Sequence, residues 1–435
     1  MSIIQQVNKN TVTLNANEIP KKWFNAIPLL PEPLPLPIDP DDDRGSRLEL
    51  MKRIRLEKLQ EQDNSIDQWI DIPKEVIEKY IEAGRPTVLY RARELEKYLD
   101  TPAKIFVKRE DSLPSGSFKL NTAIAQAYYA KNEGVLGLVT ETGAGQWGVS
   151  LAYACKMFDI ECLIYWVKVS LEQKVYRAAL AELYGASILP SPSVKTMVGK
   201  EILSKDPTNY GSLGTAIGEA IYTAKENSQY KYVAGSNLPH VLLHQTIIGL
   251  ETKAQLLSIG EWPDELIACV GGGSNLGGFI LPFLPEKLEQ GSKLQIIGAE
   301  SDAAPRLTKG KYEYDHSDPS GLSPLTLSYT LGSNYMPPPV HVGGLRQHSG
   351  SAIIGVLRHN KLLEAKAYSQ EEAFEAGRVF IQCEKFVPAP ETCHAIKAAI
   401  DSALDAKRQN KKKTIVICFS GSGLLDLASY KKVLL

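Results

Sequence analysis

Three short runs in this chain of 435 residues combine side chains able to do covalent and acid–base chemistry with backbone able to hold an anion. The first is Ser115 to Asn121, SGSFKLN, in which Lys119 opens an expected helix. A lysine fits a helix N-terminus badly, because the positive end of the dipole repels an ammonium. The mismatch disappears if the amine is bonded to the aldehyde of a cofactor. An exposed loop lysine is the plain alternative, and it leads until the other runs are added, since short patterns recur.

The second run is Glu141 to Gly148, ETGAGQWG, directly after the apolar stretch from Val135 to Thr140. A carboxylate at the carboxyl end of a strand can act as general acid and base if its surroundings tune its pKa. The backbone N–H groups after it can hold a substrate carboxylate. Helix capping, where acids are common, is the alternative. The third run, Gly271-Gly272-Gly273-Ser274-Asn275, lies between an apolar strand and an expected helix from Leu276 to Leu288. Glycines let the backbone wrap an anion, the helix start adds partial positive charge, and Ser274 and Asn275 add donors. A dinucleotide site competes, with Glu300 where a ribose-binding acid would stand, but Leu276 takes the place of the third glycine. Further on, Ser420 leads a Ser-Gly-Ser-Gly turn and can meet a pyridine nitrogen. A neutral partner there favours β-elimination and replacement over deeper electron withdrawal. Taken together, these runs point to pyridoxal-phosphate chemistry on an amino acid.

The elements that must position these residues alternate. Strands are expected at 104–108, 135–140, 161–166, 186–189, 265–270, 294–299 and 414–419, and helices at 73–83, 119–132, 147–158 and 171–184. Such alternation predicts an α/β fold of two open sheets with helices on both faces. Ligands then bind at the carboxyl ends of strands, and every candidate run follows a strand. The expected division is an N-terminal arm over residues 1–85 with a Pro-rich segment from Pro28 to Pro40, an α/β domain over 86–245, and a second over 246–435 carrying the phosphate loop. Proline removes donors and restricts its neighbour, so the Pro-rich segment should run extended over a domain surface, with a disordered linker as the alternative.

A formal net charge of −1 gives no general attraction to nucleic acid or acidic membrane. The longest apolar window, 266–283, is broken by the glycine run and is not a membrane span. The six cysteines form no C-x-x-C pair and several lie in apolar runs, so buried free thiols are expected, as in a reducing cytoplasm. The first ten residues lack the pattern of a signal peptide. No metal ligand set is expected.

From about residue 20 onward the chain resembles the tryptophan synthase beta chains of the fold type II pyridoxal-phosphate enzymes, in particular their second, divergent subfamily. The resemblance rests on ETGAGQ with Trp147 beside it, on RPTVLYRA from Arg85, KRED from Lys108, EQK from Glu172, HVLLHQT from His240, GLR ending at Arg346 and VPAPETCHA from Val387. It implies that Lys119 carries the cofactor and that Asn121, Gly271, Gly272, Gly273, Ser274, Asn275, Glu384 and Ser420 surround it. Glu384 would lie beside the ring. It implies further that Glu141 is the acid/base group, and that Thr142, Gly143, Ala144, Gly145, Gln146, Trp147, Arg177 and Arg346 serve the substrate. A mobile subdomain would span about 134–220. Two departures stand out: Phe118 replaces the usual His before the lysine, as in threonine synthases and serine/threonine dehydratases, and Arg346 replaces an Asp near the substrate side chain. The resemblance implies indole and serine or O-phosphoserine as substrates and a cytoplasmic homodimer. It leaves open an alpha-chain partner and a monovalent cation. A dehydratase and a non-catalytic homologue that binds cofactor or indole are the competing readings.

Overall fold

The computed structural model describes residues 10–435, so the first nine residues of the N-terminal segment discussed above lie outside it. Five parallel strands form the centre of a seven-stranded sheet: Lys104–Arg109, Thr414–Phe419, Glu265–Cys269, Gln295–Ser301 and Glu364–Tyr368. Thr11–Val12 and Leu89–Arg91 add antiparallel strands at one edge. A second sheet of four parallel strands is ordered Ser187–Ser191, Glu161–Val167, Gly137–Thr142, Tyr230–Tyr232. Two of these strands, Thr414–Phe419 (TIVICF) and Glu265–Cys269, are buried along their whole length. Continuous burial is what helices on both faces impose, and it explains why these strands read as apolar runs rather than as alternation.

The two sheets do not divide the chain at residue 245. Leu89–Arg91 and Lys104–Arg109 belong to the large sheet, where Ile105 pairs with Ile415 and Val107 with Ile417. A parallel pairing between strands some three hundred residues apart leaves no local signal, and strand periodicity cannot choose the partner. The expected helix over 171–184 is broken into Lys168–Gln173 and Val175–Leu183. At the break, Lys174 turns its ammonium into the protein onto Asp426 Oδ1 at 2.7 Å and Ser429 Oγ at 3.0 Å. The helix after the glycine run starts at Ser274 and gives way to a 3-10 turn over Leu281–Phe283, where Pro282 interrupts it. The Pro-rich arm does cross a domain surface: Ile38 bridges to Leu325, and the Arg47 guanidinium donates to Gly321 O at 3.0 Å. All six cysteines are free and buried.

A buried ionic network ties the segment before the Lys119 helix to the long helix Ile247–Ser258. Arg85 donates to Glu110 Oε2 at 2.8 Å and to Glu251 Oε2 at 2.9 Å, and the Lys108 ammonium reaches Glu251 Oε2 at 2.7 Å. All four side chains are fully buried. Two cations and two carboxylates balance, so each charge depends on its partners. Glu251→Ala leaves Arg85 and Lys108 short of a counter-charge and is expected to cost about 3–5 kcal/mol. Denaturant unfolding checks this: the midpoint falls sharply for Glu251→Ala and less for Glu251→Gln. An unchanged midpoint would exclude the network as a stabilising element.

Candidate active site

One cleft lies where the ends of strands from both sheets meet. Lys119, Glu141, Thr142, Gly143, Ala144, Gln146, Trp147, Gly271, Gly272, Gly273, Ser274, Asn275 and Ser420 all line it. Most candidate residues chosen from separate runs of sequence therefore share one cavity.

Lys119 stands at the mouth of the helix Leu120–Asn132. Its Nζ donates to Ser274 Oγ at 2.8 Å and to Gly235 O, and it lies 4.9 Å from the centroid of the Phe118 ring. Burial pulls its ammonium down to about 7, against the opposing pull of Glu141. Glu141 is the penultimate residue of the strand Gly137–Thr142 and is buried. It caps nothing: the helix behind it starts after Gly145, with no side-chain cap. Burial pushes its carboxyl up to about 8, and Oε2 has no hydrogen-bond partner among the described residues. The two groups thus sit near neutrality from opposite directions, both for the same reason, that low polarity penalises the charged form.

The glycine run leaves backbone donors facing the cleft. The N–H groups of Gly271, Gly272 and Gly273 make no hydrogen bond among the described residues. Side chains could not be fitted there, since a Cβ on Gly272 would stand 2.7 Å from Gln347 Oε1 and one on Gly271 would stand 2.4 Å from Gly344 O. Free N–H groups at the start of a helix form an anion cradle, and they lie beside the amine of Lys119. An aldehyde-bearing cofactor with a phosphate fits this pairing. Ser420 faces the same cleft; its Oγ is 2.7 Å from Thr392 Oγ1 and 3.5 Å from Cys269 Sγ. Both these side-chain partners are uncharged, and burial pushes the Cys269 thiol up to about 12.

Five expected residues lie outside the cleft lining. Asn121 turns into the ionic network, accepting from Arg85 at 2.7 Å and donating to Gln245 Oε1 at 2.9 Å. Gly145 is required by conformation and space, with φ +89 and the Trp166 ring 1.9 Å from where a Cβ would stand. Arg177 supports the lining from behind, donating to Ala144 O at 2.9 Å while pairing with Asp426. Arg346 lines a small adjoining cavity. Glu384 must be corrected: it is not beside the cleft. Its Oε1 accepts from Leu95 N and its Oε2 from the Tyr90 hydroxyl, each at 2.7 Å. It ends the helix Gln370–Glu384, and the left-handed turn at Lys385 aims it at the first turn of Arg93–Leu99, where free N–H groups attract a carboxylate. Glu391 is the glutamate that lines the cleft, accepting from Gly344 N at 2.9 Å and from Gln146 Nε2 at 3.1 Å. The sequence held both glutamates seven residues apart; the proline at the first position of the helix Pro390–Arg408 was the signal that Glu391 starts a new element.

Comparison with known proteins gives the family. A family model described as "Pyridoxal-phosphate dependent enzyme" matches residues 81–421. Tryptophan synthase beta chain 2 of Methanothermobacter thermautotrophicus is 50% identical over 421 residues, covering 97% of this chain and 98% of that one. Tryptophan synthase beta chain 2 of Thermotoga maritima is 50% identical over 419 residues, covering 96% and 99%. Among solved structures, threonine deaminase isoform 2 from Solanum lycopersicum aligns with TM-score 0.59 and 18% identity over 93% of this chain and 98% of that one, a likeness of fold. The site and fold therefore define a pyridoxal-phosphate-dependent lyase. Within that class the chain belongs to the family of the tryptophan synthase beta chains.

The pKa directions give a test in cofactor-free protein. A carboxyl held at about 8 when folded and near 4.5 when unfolded favours folding below its unfolded pKa, and that contribution is lost as pH rises through 8. Glu141→Gln removes the ionisation. Its stability relative to the native protein should therefore increase from pH 5 to pH 9, read as a difference in thermal midpoints. A difference that does not change with pH would place Glu141 in a polar, solvated setting.

Proposed function

We propose that this chain makes L-tryptophan by β-replacement, joining indole to the β-carbon of an activated serine. The observation that carries it is the meeting of the Lys119 amine, the Glu141 carboxyl and the free N–H groups of the glycine run in one cleft. Gly271 to Asn275 would hold the phosphate of the cofactor and Ser420 would meet its ring nitrogen. Pyridoxal phosphate, when bound, supplies the electron sink that makes the substrate α-hydrogen acidic. The Lys119 amine, pulled to about 7 by burial, has a large neutral fraction at physiological pH and can take that proton, then return it to the same carbon. The backbone after Thr142 would hold the substrate carboxylate, with Arg177 fixing the Ala144 carbonyl from behind. Glu141, protonated at neutral pH, can give a proton to a departing hydroxyl, and as carboxylate can accept one from indole. Gln146 and Trp147, which line the cleft, would exclude water around the apolar nucleophile and so favour replacement over the dehydratase outcome.

The finer reading concerns the donor. The Arg346 guanidinium is buried; among the described residues its one hydrogen bond is from Nη2 to Pro337 O at 3.0 Å, and Nε has no partner there. It pairs with no carboxylate among the described residues, which speaks against a role as an acid-paired latch. Its small cavity shares Gly143, Leu213 and Gly343 with the main cleft. A buried cation without a counter-ion, one wall away from the substrate, suits an anionic leaving group. Arginine can bind phosphate through two charge-assisted hydrogen bonds, each about twice as strong as a neutral one. Phosphate also departs without a proton. The preferred donor is therefore O-phosphoserine. A homodimer is the expected assembly.

Two experiments test these roles. The purified protein should absorb in the visible and, on borohydride reduction, carry its label on Lys119; label on another lysine would sink the assignment, and Lys119→Ala should show no turnover. Steady-state kinetics with indole should favour O-phosphoserine over serine, and Arg346→Ala should raise the Michaelis constant for O-phosphoserine far more than for serine. Equal effects on both donors, or a native preference for serine, would refute the role of Arg346.

A further inference from the structure

Behind the glycine run lies a second buried arginine that the mechanism has not used. Arg306 is 1% exposed. Its Nε donates to Gly271 O at 2.9 Å and its Nη2 donates to the same oxygen, while Nη1 has no partner among the described residues. It makes no ion pair among the described residues. Glu300, whose field it feels, uses its oxygens on the N–H groups of Leu307 and Thr308 and on the Thr308 hydroxyl. The guanidinium packs flat under Gly350, where a Cβ would stand 2.4 Å from its central carbon. The next residue, Ser351, donates its N–H to Gly272 O at 2.7 Å. The loop is thus held from behind at two successive carbonyls, one of them by a full positive charge.

A buried guanidinium with no bonded counter-ion is expensive, and one that grips a single backbone carbonyl has a directional effect. In a trans peptide the C=O and N–H point in opposite directions. Fixing Gly271 O on the guanidinium side turns the Gly272 N–H to the other side, and Gly272 lines the cleft. The charge also polarises that peptide, making its N–H a stronger donor. Burial drags the Arg306 guanidinium down to about 10, so it remains charged throughout the working range.

We propose that Arg306 is a positioning residue for the cofactor phosphate: it orients and polarises the Gly271–Gly272 peptide from behind, and its charge is balanced by the phosphate dianion once the cofactor is bound. This rests on the reading of Gly271–Asn275 as the phosphate cradle. It makes two claims that a purely structural role would not. The residue should matter for the phosphate and hardly for the rest of the cofactor. Its loss should also weaken the stabilisation that a phosphate anion gives to cofactor-free protein.

The test uses protein stripped of cofactor, titrated with pyridoxal 5′-phosphate or with pyridoxal, which lacks the phosphate, while the visible band is followed. Arg306→Gln should lose affinity for pyridoxal 5′-phosphate by about tenfold or more, the size of effect usual for a lost partner one shell behind a ligand. Its affinity for pyridoxal should hardly change. Arg306→Lys, which keeps a charge, should retain more of the discrimination than Arg306→Gln. Inorganic phosphate should raise the thermal midpoint of native cofactor-free protein and do so less for Arg306→Gln. Equal losses for both aldehydes, or an unchanged preference for the phosphorylated one, would overturn the proposal. Ser274→Ala separates the failures. If it loses the phosphate preference while Arg306→Gln keeps it, the cradle stands and the role of Arg306 falls; if neither variant loses it, the cradle itself lies elsewhere.

Discussion

A single cleft of low polarity governs the chemistry of this protein, because it buries an amine and a carboxyl together. In water these groups would be an ammonium and a carboxylate, each locked in its charged form at neutral pH. Buried, Lys119 is drawn down to about 7 and Glu141 up to about 8. Each then holds or yields a proton within the working range, which is the condition for moving protons on and off substrate carbon and oxygen. No special partner is needed for either shift. Desolvation is the leading cause for both, so the apolar walls and the packing behind them set the chemistry.

That packing is itself expensive in charge, and the fold offsets the cost by pairing opposite charges. Arg85, Lys108, Glu110 and Glu251 form a closed, neutral set beneath the Lys119 helix, whereas behind the Ala144 carbonyl two cations, Lys174 and Arg177, share the one carboxylate of Asp426. Both sets lie just outside the cleft lining. They hold the two walls in register without placing a permanent charge inside. The two exceptions are informative. Among the described residues, Arg306 and Arg346 are buried guanidinium groups bonded only to backbone carbonyls. One sits behind the glycine run and the other beside the loop that follows Glu141, the two places where an anion is expected.

Side-chain chemistry was legible in the sequence wherever function and local backbone are written in the same few residues. Lys119 at a helix start, Glu141 before Gly143 and Gly145, the run Gly271 to Asn275, and Ser420 all follow strands that read as apolar stretches, and the ends of parallel strands are where an α/β fold gathers its ligands. The strand Thr414–Phe419 was readable to the residue, since a fully buried strand needs an unbroken apolar run. The resemblance to a known family added the order of these runs and the particular reaction.

Partners distant in the chain were decided only by the tertiary structure. Nothing local says that Lys104–Arg109 pairs with Thr414–Phe419, or that the helix after Leu171 should break so that Lys174 can reach Asp426. Glu384 and Glu391 stand on either side of a turn in one recognisable segment. Only the direction in which each helix end points sends the first to the N–H groups at Arg93–Leu99 and the second to the cleft. Asn121 and Arg306 reverse the same lesson. The first lies two residues from the reactive lysine yet faces the ionic network, and the second, in a segment with no motif, grips the carbonyl of Gly271. Sequence determined which groups could do chemistry and which strands must be buried, because both depend on residue type and short-range period. Which group faces which depends on how the elements cross in space, and that was fixed only when the two sheets closed on one another.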